Sequence, residues 1–293
     1  MTPPGRVGFV DLLLGWADGA GRDLPWRRTR DPWAILVSEL MLQQTQVARV
    51  IPRYAAFLAR FPDPAAAAAA SAGELISEWA GLGYNRRAVH LHATACRVVA
   101  DHGGQLPHDL DALLRLPGIG PYTARAILVF AFERTVGVVD TNAARVLARA
   151  VAGRPLGARE VQRLADATVP ADRSWAYNQA MLDLGATTCT ARRPACGRCP
   201  VVSECRWAAV GWSAPDPVIG TAGVAGTQSR FDGSDRQGRG RLVSALRNGP
   251  VAARSVPDVA GWPENPERAW RVAATLVTDG LAEIGDDGSL VLP

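Results

Sequence analysis

The chain has 293 residues, 48% of them hydrophobic, a size that allows one large domain or two smaller ones. Asp11 interrupts the only long apolar run among residues 1–20, so no secretory signal or membrane span is expected and a cytoplasmic location follows. The net charge of +4 is uneven, with 24 Arg against 18 Asp and Glu in residues 1–210 and 8 Arg against 10 in residues 211–293, and the basic part suits a polyanionic partner.

Residues 1–210 read as almost wholly helical, because apolar residues recur at helical spacing and Pro or Gly punctuates the segments. Asp31-Pro32 has the form of an N-cap followed by Pro at the first helical position, opening a helix from Trp33 to about Val50. An Ala-rich stretch from Pro64 to Ala72 is a surface helix. Asp109–Arg115 and Pro121–Ala131 form two helices around Leu116-Pro117-Gly118-Ile119-Gly120. Helices are also expected over 141–152 and 158–169, and from Trp175 to Leu184. Residues 211–234, rich in Gly, Ser, Pro and Thr, read as a linker. Residues 235–293 form a small winged-helix-like module, with helical patterns at Gln237–Leu246 and Pro266–Asp279 and a hairpin turning at Asp287-Gly288. The fold class is all-α, with this small α/β module after it.

Three motifs carry chemistry. Four of five cysteines stand as Cys189-x6-Cys196-x2-Cys199-x5-Cys205. In a reducing compartment such crowding is a metal site rather than a disulfide framework. Four thiolates can hold a [4Fe–4S] cluster or a zinc ion; one close pair flanked by single cysteines favours the cluster. The second motif is the turn 116–120, where Gly118 and Gly120 let backbone amides approach a phosphate at a helix N-terminus. Asp140 follows it in Val138-Val139-Asp140-Thr141-Asn142; it can cap the next helix and is placed to stabilise a developing cation. The third is Ser38-Glu39-Leu40-Met41-Leu42-Gln43-Gln44-Thr45-Gln46. Glu39 lies in an apolar helical run, where burial would raise its pKa as a general acid needs, and Gln43 shares its face.

In this order the motifs resemble the helix–hairpin–helix DNA glycosylases of the endonuclease III and MutY superfamily, over roughly Leu24 to Trp207. The finer pattern is similar to MutY-type adenine DNA glycosylases: Leu24-Pro25-Trp26-Arg27, the run from Ser38 to Val47, Gly81-Leu82-Gly83-Tyr84, and Asn178-Gln179-Ala180-Met181-x-Asp183-Leu184-Gly185-Ala186. The resemblance implies base excision repair of adenine mispaired with 8-oxoguanine or guanine, by a monomer on double-stranded DNA. It implies that Glu39 protonates the base and that Asp140 stabilises the sugar oxocarbenium ion or captures it transiently. Trp26, Arg27, Tyr122 and Gln179 would line the pocket for the flipped base. Gln43, Gln44, Thr45 and Tyr84 would contact DNA, Gln44 and Tyr84 wedging on the opposite-base side, and Gly118 and Gly120 would grip the backbone. Cys189, Cys196, Cys199 and Cys205 would bind the [4Fe–4S] cluster.

Position 122 separates branches. Relatives that also nick the strand have Lys there as Schiff-base nucleophile; Tyr122 stands here, and the chain contains no lysine, so efficient strand cleavage is not expected. Two departures stand out. Asn85 follows Tyr84 where a second aromatic is usual, and the tail after residue 210 is too short for the NUDIX-like domain of full-length relatives. A short form is therefore expected, with 8-oxoguanine discrimination weaker or resting on Gln44, Thr45 and Tyr84; the acidic balance of the tail argues against strong DNA binding by the wing. Two rivals remain: a thymine or uracil mismatch glycosylase on the same scaffold, and a non-catalytic iron–sulfur DNA-binding protein.

Overall fold

The computed structural model describes residues 6–223 and 230–293. Their elements in chain order are α1 (Arg6–Ala20), α2 (Pro32–Leu42), α3 (Val47–Arg60), α4 (Pro64–Ala69), α5 (Ala72–Glu78), α6 (Arg86–His102), α7 (Leu110–Leu114), α8 (Pro121–Phe130), α9 (Thr141–Val146), α10 (Ala158–Thr168), α11 (Ser174–Thr187), α12 (Arg206–Ala209), α13 (Asp235–Leu246), α14 (Val256–Ala260), α15 (Pro266–Thr278), β1 (Glu283–Ile284) and β2 (Leu290–Val291). Short 3-10 turns occupy Pro25–Arg27, Cys196–Arg198, Val202–Glu204 and Ala253–Ser255, and a π-helical stretch, Leu147–Ala152, continues α9.

The chain forms two compact units. Among the described residues, the first gathers 6–32, 108–110 and 120–223; the second gathers 33–107, 111–119 and 230–293. The first unit's core joins Phe9, Leu13 and Leu14 of α1 to Ala144 and Val146 of α9, Val161 and Ala165 of α10, and Tyr177, Met181 and Leu184 of α11. On α10 the buried positions are Val161, Ala165 and Thr168, the spacing of an amphipathic helix. Residues 211–223, whose composition reads as a tether, are bonded to this unit: Ala222 N–H donates to the Leu156 carbonyl at 2.9 Å, and Leu156 N–H to Thr221 Oγ1 at 3.2 Å.

In the second unit α2 is buried all round: every residue from Trp33 to Met41 is buried. The expected helix from Trp33 to about Val50 is two helices, because Gln44 takes a left-handed backbone (φ 56°) and α3 starts afresh at Val47. The expected Pro64–Ala72 helix also ends early. Ser71 closes a capping box with Glu74 (Ser71 N–H to Glu74 Oε2, 2.9 Å; Glu74 N–H to Ser71 Oγ, 3.2 Å), so α5 begins one residue later. The C-terminal helices α13, α14 and α15 share a core of Leu242, Leu246, Val256, Val272 and Leu276. The hairpin pairs Glu283 with Val291 and Ile284 with Leu290, and Val251 bridges to Leu290 from its other side. Arg247 seats this part on α5 and α6, donating to the Ile76 carbonyl at 3.0 Å and to Asn85 Oδ1 at 2.9 Å.

Candidate active site and iron–sulfur centre

The residues singled out in the sequence fall into two sets, one per unit. In the second unit Glu39 lies near the end of α2, 6% exposed and surrounded by buried neighbours along its helix. Past that end stand Gln43, Gln44 and Thr45, and the loop Gly81–Tyr84 lies against them through Thr45 Oγ1, which donates to the Leu82 carbonyl at 3.1 Å. Gln44 and Tyr84 both have left-handed backbones (φ 56° and 47°), and Tyr84 is exposed. A left-handed non-glycine costs energy and persists only where its surroundings over-determine it.

Arg87 supplies that determination. Its buried guanidinium donates to the carbonyls of Met41 (2.9 Å), Gln43 (2.7 Å), Gly83 (2.8 Å) and Tyr84 (3.2 Å), and to Thr45 Oγ1 (3.1 Å). Burial lowers its pKa to about 10, so it stays charged at neutral pH. One arginine thus fastens the α2 terminus, the Gln43–Thr45 loop and the Gly81–Tyr84 loop. Gly118 (φ 72°) lies so close to His90 that a Cβ there would fall 2.5 Å from the histidine Cβ, so only glycine fits. Gly120, by contrast, has an extended backbone and open space around it; it serves as the N-cap of α8.

In the first unit Asp140 is the N-cap of α9. Oδ1 accepts from the backbone amides of Asn142 and Ala143, both at 2.7 Å, and Oδ2 accepts from Asn142 Nδ2 at 2.6 Å. Burial pushes its carboxyl pKa above the usual range against these hydrogen bonds and the charge of Arg145. Asn142 is itself held: Arg145 donates to Asn142 Oδ1 at 2.5 Å, to the Gly185 carbonyl at 2.8 Å and to the Cys189 carbonyl at 3.1 Å. Gly185 admits Asn142, whose carbonyl oxygen would lie 2.5 Å from an added Cβ. On the other side Asn178 accepts from Val138 N–H at 2.8 Å and donates to the Val136 carbonyl at 3.1 Å, fixing the segment that leads to Asp140.

Trp26 and Gln179 are buried and Tyr122 is half-buried at the start of α8. Arg27 is clamped by Asp183, with Nη1 and Nη2 at 2.7 and 2.8 Å from its two oxygens, and Arg22 Nε adds a third contact at 2.5 Å. Asp183 follows Gln179 by one turn of α11 and shares its face. Burial alone would raise the Asp183 carboxyl; the two guanidiniums outweigh it and hold the pKa below the ordinary value.

Cys189, Cys196, Cys199 and Cys205 line one largely apolar cavity, and Cys189, Cys199 and Cys205 also pack on the first unit's core. Among the described residues no group of three or more His, Cys, Asp or Glu stands at the spacing of a single metal ion. Four thiolates on the walls of a shared cavity fit a four-iron cluster. Burial pushes the Cys199 thiol up to about 11. Arg149, 1% exposed, reaches in with Nη1 3.5 Å from Cys189 Sγ and 2.7 Å from the Thr190 carbonyl. Asp216 anchors it through a paired contact at 2.9 and 2.6 Å.

Sequence reasoning passed over Arg87, Asn142, Arg145, Arg149, Asp183 and Asp216. Asn142 and Asp183 sat inside quoted motifs without a role. Three of the arginines are buried charges in helices, and their partners are mostly backbone carbonyls, which leave no sequence signature.

Residues 37–171 match the HhH-GPD superfamily of base excision DNA repair proteins, and residues 189–205 match the iron–sulfur binding domain of endonuclease III. An adenine DNA glycosylase of Mycolicibacterium smegmatis is 44% identical over 285 residues, covering 96% of this chain and 94% of that protein. The Homo sapiens adenine DNA glycosylase is 45% identical over 212 residues, covering 68% of this chain and 39% of that protein. Among solved structures, a thermostable thymine-DNA glycosylase superposes with a TM-score of 0.65 at 31% identity, covering 69% of this chain and 95% of that one. The chain belongs to the adenine DNA glycosylase family, and its four-cysteine loop holds a [4Fe–4S] cluster.

Proposed function

We propose that this protein is a monofunctional DNA glycosylase that hydrolyses the bond between deoxyribose and adenine mispaired with 8-oxoguanine or guanine in duplex DNA, acting as a monomer. The observation that carries the reading is Asp140: a half-buried carboxylate fixed by three donors at a helix N-terminus. Such a group is pre-organised to meet positive charge on a sugar. Glu39 protonates N7 of adenine from its apolar helix. The bond from C1′ to N9 breaks with its electron pair leaving on the base, and Asp140 stabilises the oxocarbenium ion or captures it briefly. Water then adds at C1′, and its proton restores Glu39. Trp26, Arg27, Tyr122 and Gln179 receive the flipped adenine, with Asp183 holding Arg27 in place. Gln43, Gln44, Thr45 and Tyr84 engage the duplex where the base left it, and Gly118 and Gly120 bring backbone amides to a phosphate.

The cluster supplies four iron–thiolate bonds that cross-link residues 189–205 and a redox couple. A cysteine-held iron–sulfur cluster suits a cytoplasmic location, and among the described residues no helix is long and apolar enough to cross a membrane. Strand nicking through a Schiff base needs an amine nucleophile; the chain has no lysine side chain to supply it, and Tyr122 occupies the position after the hairpin.

The test is a single-turnover assay on labelled duplexes with A:8-oxoguanine, A:G, T:G and U:G, with and without alkali. Adenine release that becomes a nick only after alkali is expected. Release from T:G or U:G alone would assign the thymine or uracil branch instead, and binding with no release would make the protein a non-catalytic DNA binder.

A further inference from the structure

The C-terminal part contributes a basic wall to a groove in the second unit. The groove has a volume of about 840 Å³, and the wedge residues Gln44 and Tyr84 line it together with Phe231, Arg236 and Arg239 from around α13. Its lining includes five guanidiniums, those of Arg49, Arg86, Arg87, Arg236 and Arg239, against one carboxylate, Asp279. Other acidic residues of the tail lie away from this groove: Asp286 and Asp287 sit at the hairpin turn, and Asp235 is engaged with Arg268 at 2.7 Å. The sign of the segment therefore does not describe this face. Arg239 is braced by Asp279 at 2.5 Å, which also lies 3.4 Å from Arg86. Phe231 is exposed, with the Arg236 guanidinium 5.9 Å from its ring centre. The wall is fixed relative to the wedge by Arg247 on Ile76 and Asn85, and by the chain end, where Gly73 N–H donates to the Pro293 carbonyl at 2.7 Å.

We propose that this groove binds the DNA strand that carries the base opposite the excised adenine, with Arg236 on a backbone phosphate and Phe231 as a stacking platform for a neighbouring base. The inference rests on the glycosylase reading, since it places Gln44 and Tyr84 on the opposite-base side. A groove lined by arginines and an exposed aromatic ring is the chemistry of strand binding: guanidiniums track phosphates, and a ring stacks on any base.

The test uses the full chain with its cluster loaded and a duplex carrying 2′-fluoroadenosine opposite 8-oxoguanine. The fluorine opposes oxocarbenium formation, so binding is measured without excision. Arg236→Ala is expected to lower the slope of log affinity against log salt by about one, and Arg236→Lys to retain it. Phe231→Ala is expected to weaken binding roughly 5- to 150-fold at fixed salt with the slope unchanged, and Phe231→Trp to restore it. Hydroxyl-radical footprints should lose protection on the strand opposite the adenine. Unchanged affinity and slope in both alanine variants, or protection lost only on the adenine strand, would overturn the proposal. If the wild type protects the opposite strand through these residues yet releases no adenine from the ordinary mispair, the enzymatic reading fails and the groove stands.

Discussion

Replacing Arg87 by Met keeps most of the buried stem and removes the guanidinium that fastens three chain segments. The carbonyls of Met41, Gln43 and Gly83 and the hydroxyl of Thr45 each lose a donor at 2.7–3.1 Å. A hydrogen bond to a charged group contributes about 1.5–3 kcal/mol, but these share one donor and do not add. Two offsets reduce the sum. The buried cation no longer has to be desolvated, and loop carbonyls that open to solvent regain water. A net loss of about 3 kcal/mol is the expected result, the low end for breaking a buried charged hub. For a chain of this size that corresponds to a fall in melting temperature of roughly 6–12 °C. Arg87→Lys retains the charge and three donors and should fall about half as far. Thermal unfolding followed by circular dichroism checks the stability, and affinity for a mispaired duplex checks the loops, because the left-handed backbones of Gln44 and Tyr84 lose their support. A melting temperature within about 2 °C of wild type and unchanged affinity would refute the assignment of Arg87 as the residue that sets these loops.

Asp140→Asn should abolish base release without lowering stability at neutral pH. The folded-state pKa of Asp140 lies above its unfolded value, so the native state binds the proton more tightly. Its contribution falls as pH rises from the unfolded value through the raised one, and at neutral pH the desolvated carboxylate is a cost that Asn removes while still capping α9. A clear drop in melting temperature at pH 7 would count against this. The opposite sign holds for Asp183, whose pKa is lowered: its contribution is present above the unfolded pKa and is lost as pH falls through the folded one. Asp183→Asn should therefore destabilise the wild-type fold at neutral pH by about 3 kcal/mol, leaving two guanidiniums without their anion, and equal chemical denaturation midpoints would contradict it. Asp216→Asn should leave Arg149 charged and less anchored beside Cys189, so iron loss to a chelator, read by the visible absorbance of the cluster, should quicken at least about tenfold, equivalent to about 1.4 kcal/mol; an unchanged rate would remove Asp216 from the centre's support.

Much of this architecture was readable from the residues, and the reasons for the rest are specific. The helix starts at Pro32, Pro121 and Pro266 announced themselves because proline at a first turn has a local cause. The break after Leu42 did not, since nothing in Gln43-Gln44-Thr45 disfavours a helix strongly; the left-handed Gln44 is imposed by Arg87, more than forty residues later. The candidate carboxylates Glu39 and Asp140 stood out because an acid in an apolar run is conspicuous. Their supports did not, because Arg145 and Arg149 look like ordinary charges on helices until the carbonyls of Gly185, Cys189 and Thr190 are placed around them. The tail was misleading for a related reason: composition sums the charge of a segment, whereas folding sorts it by face, and Arg236 and Arg239 end on a different face from Asp286 and Asp287.

The same local geometry gives the cysteine loop a bearing on the Asp140 carboxylate. From Asp140 the bonds run to Asn142, from Asn142 to Arg145, and from Arg145 to the carbonyl of Cys189, each between 2.5 and 3.1 Å. Cys189 closes this chain with its carbonyl while its sulfur faces the shared cavity, so the two ends of one residue belong to the two centres. The loop between Cys189 and Cys205 has only two 3-10 turns of its own, and a cross-link through its four sulfurs is what would hold the Cys189 carbonyl in register. Removing the cluster should therefore leave most helices intact but let Arg145 swing, and Asn142 with it. A carboxylate displaced by about 1 Å can cost on the order of a hundredfold in rate. Single-turnover release of adenine by the cluster-depleted chain, with far-ultraviolet circular dichroism as the control for helix content, reads both effects. A hundredfold slower reaction at nearly native helicity is the expected result, and recovery on reconstitution should follow. Full activity without iron would show that Asp140 is held by Asn142 and the α9 amides alone, and that the link through Arg145 carries nothing.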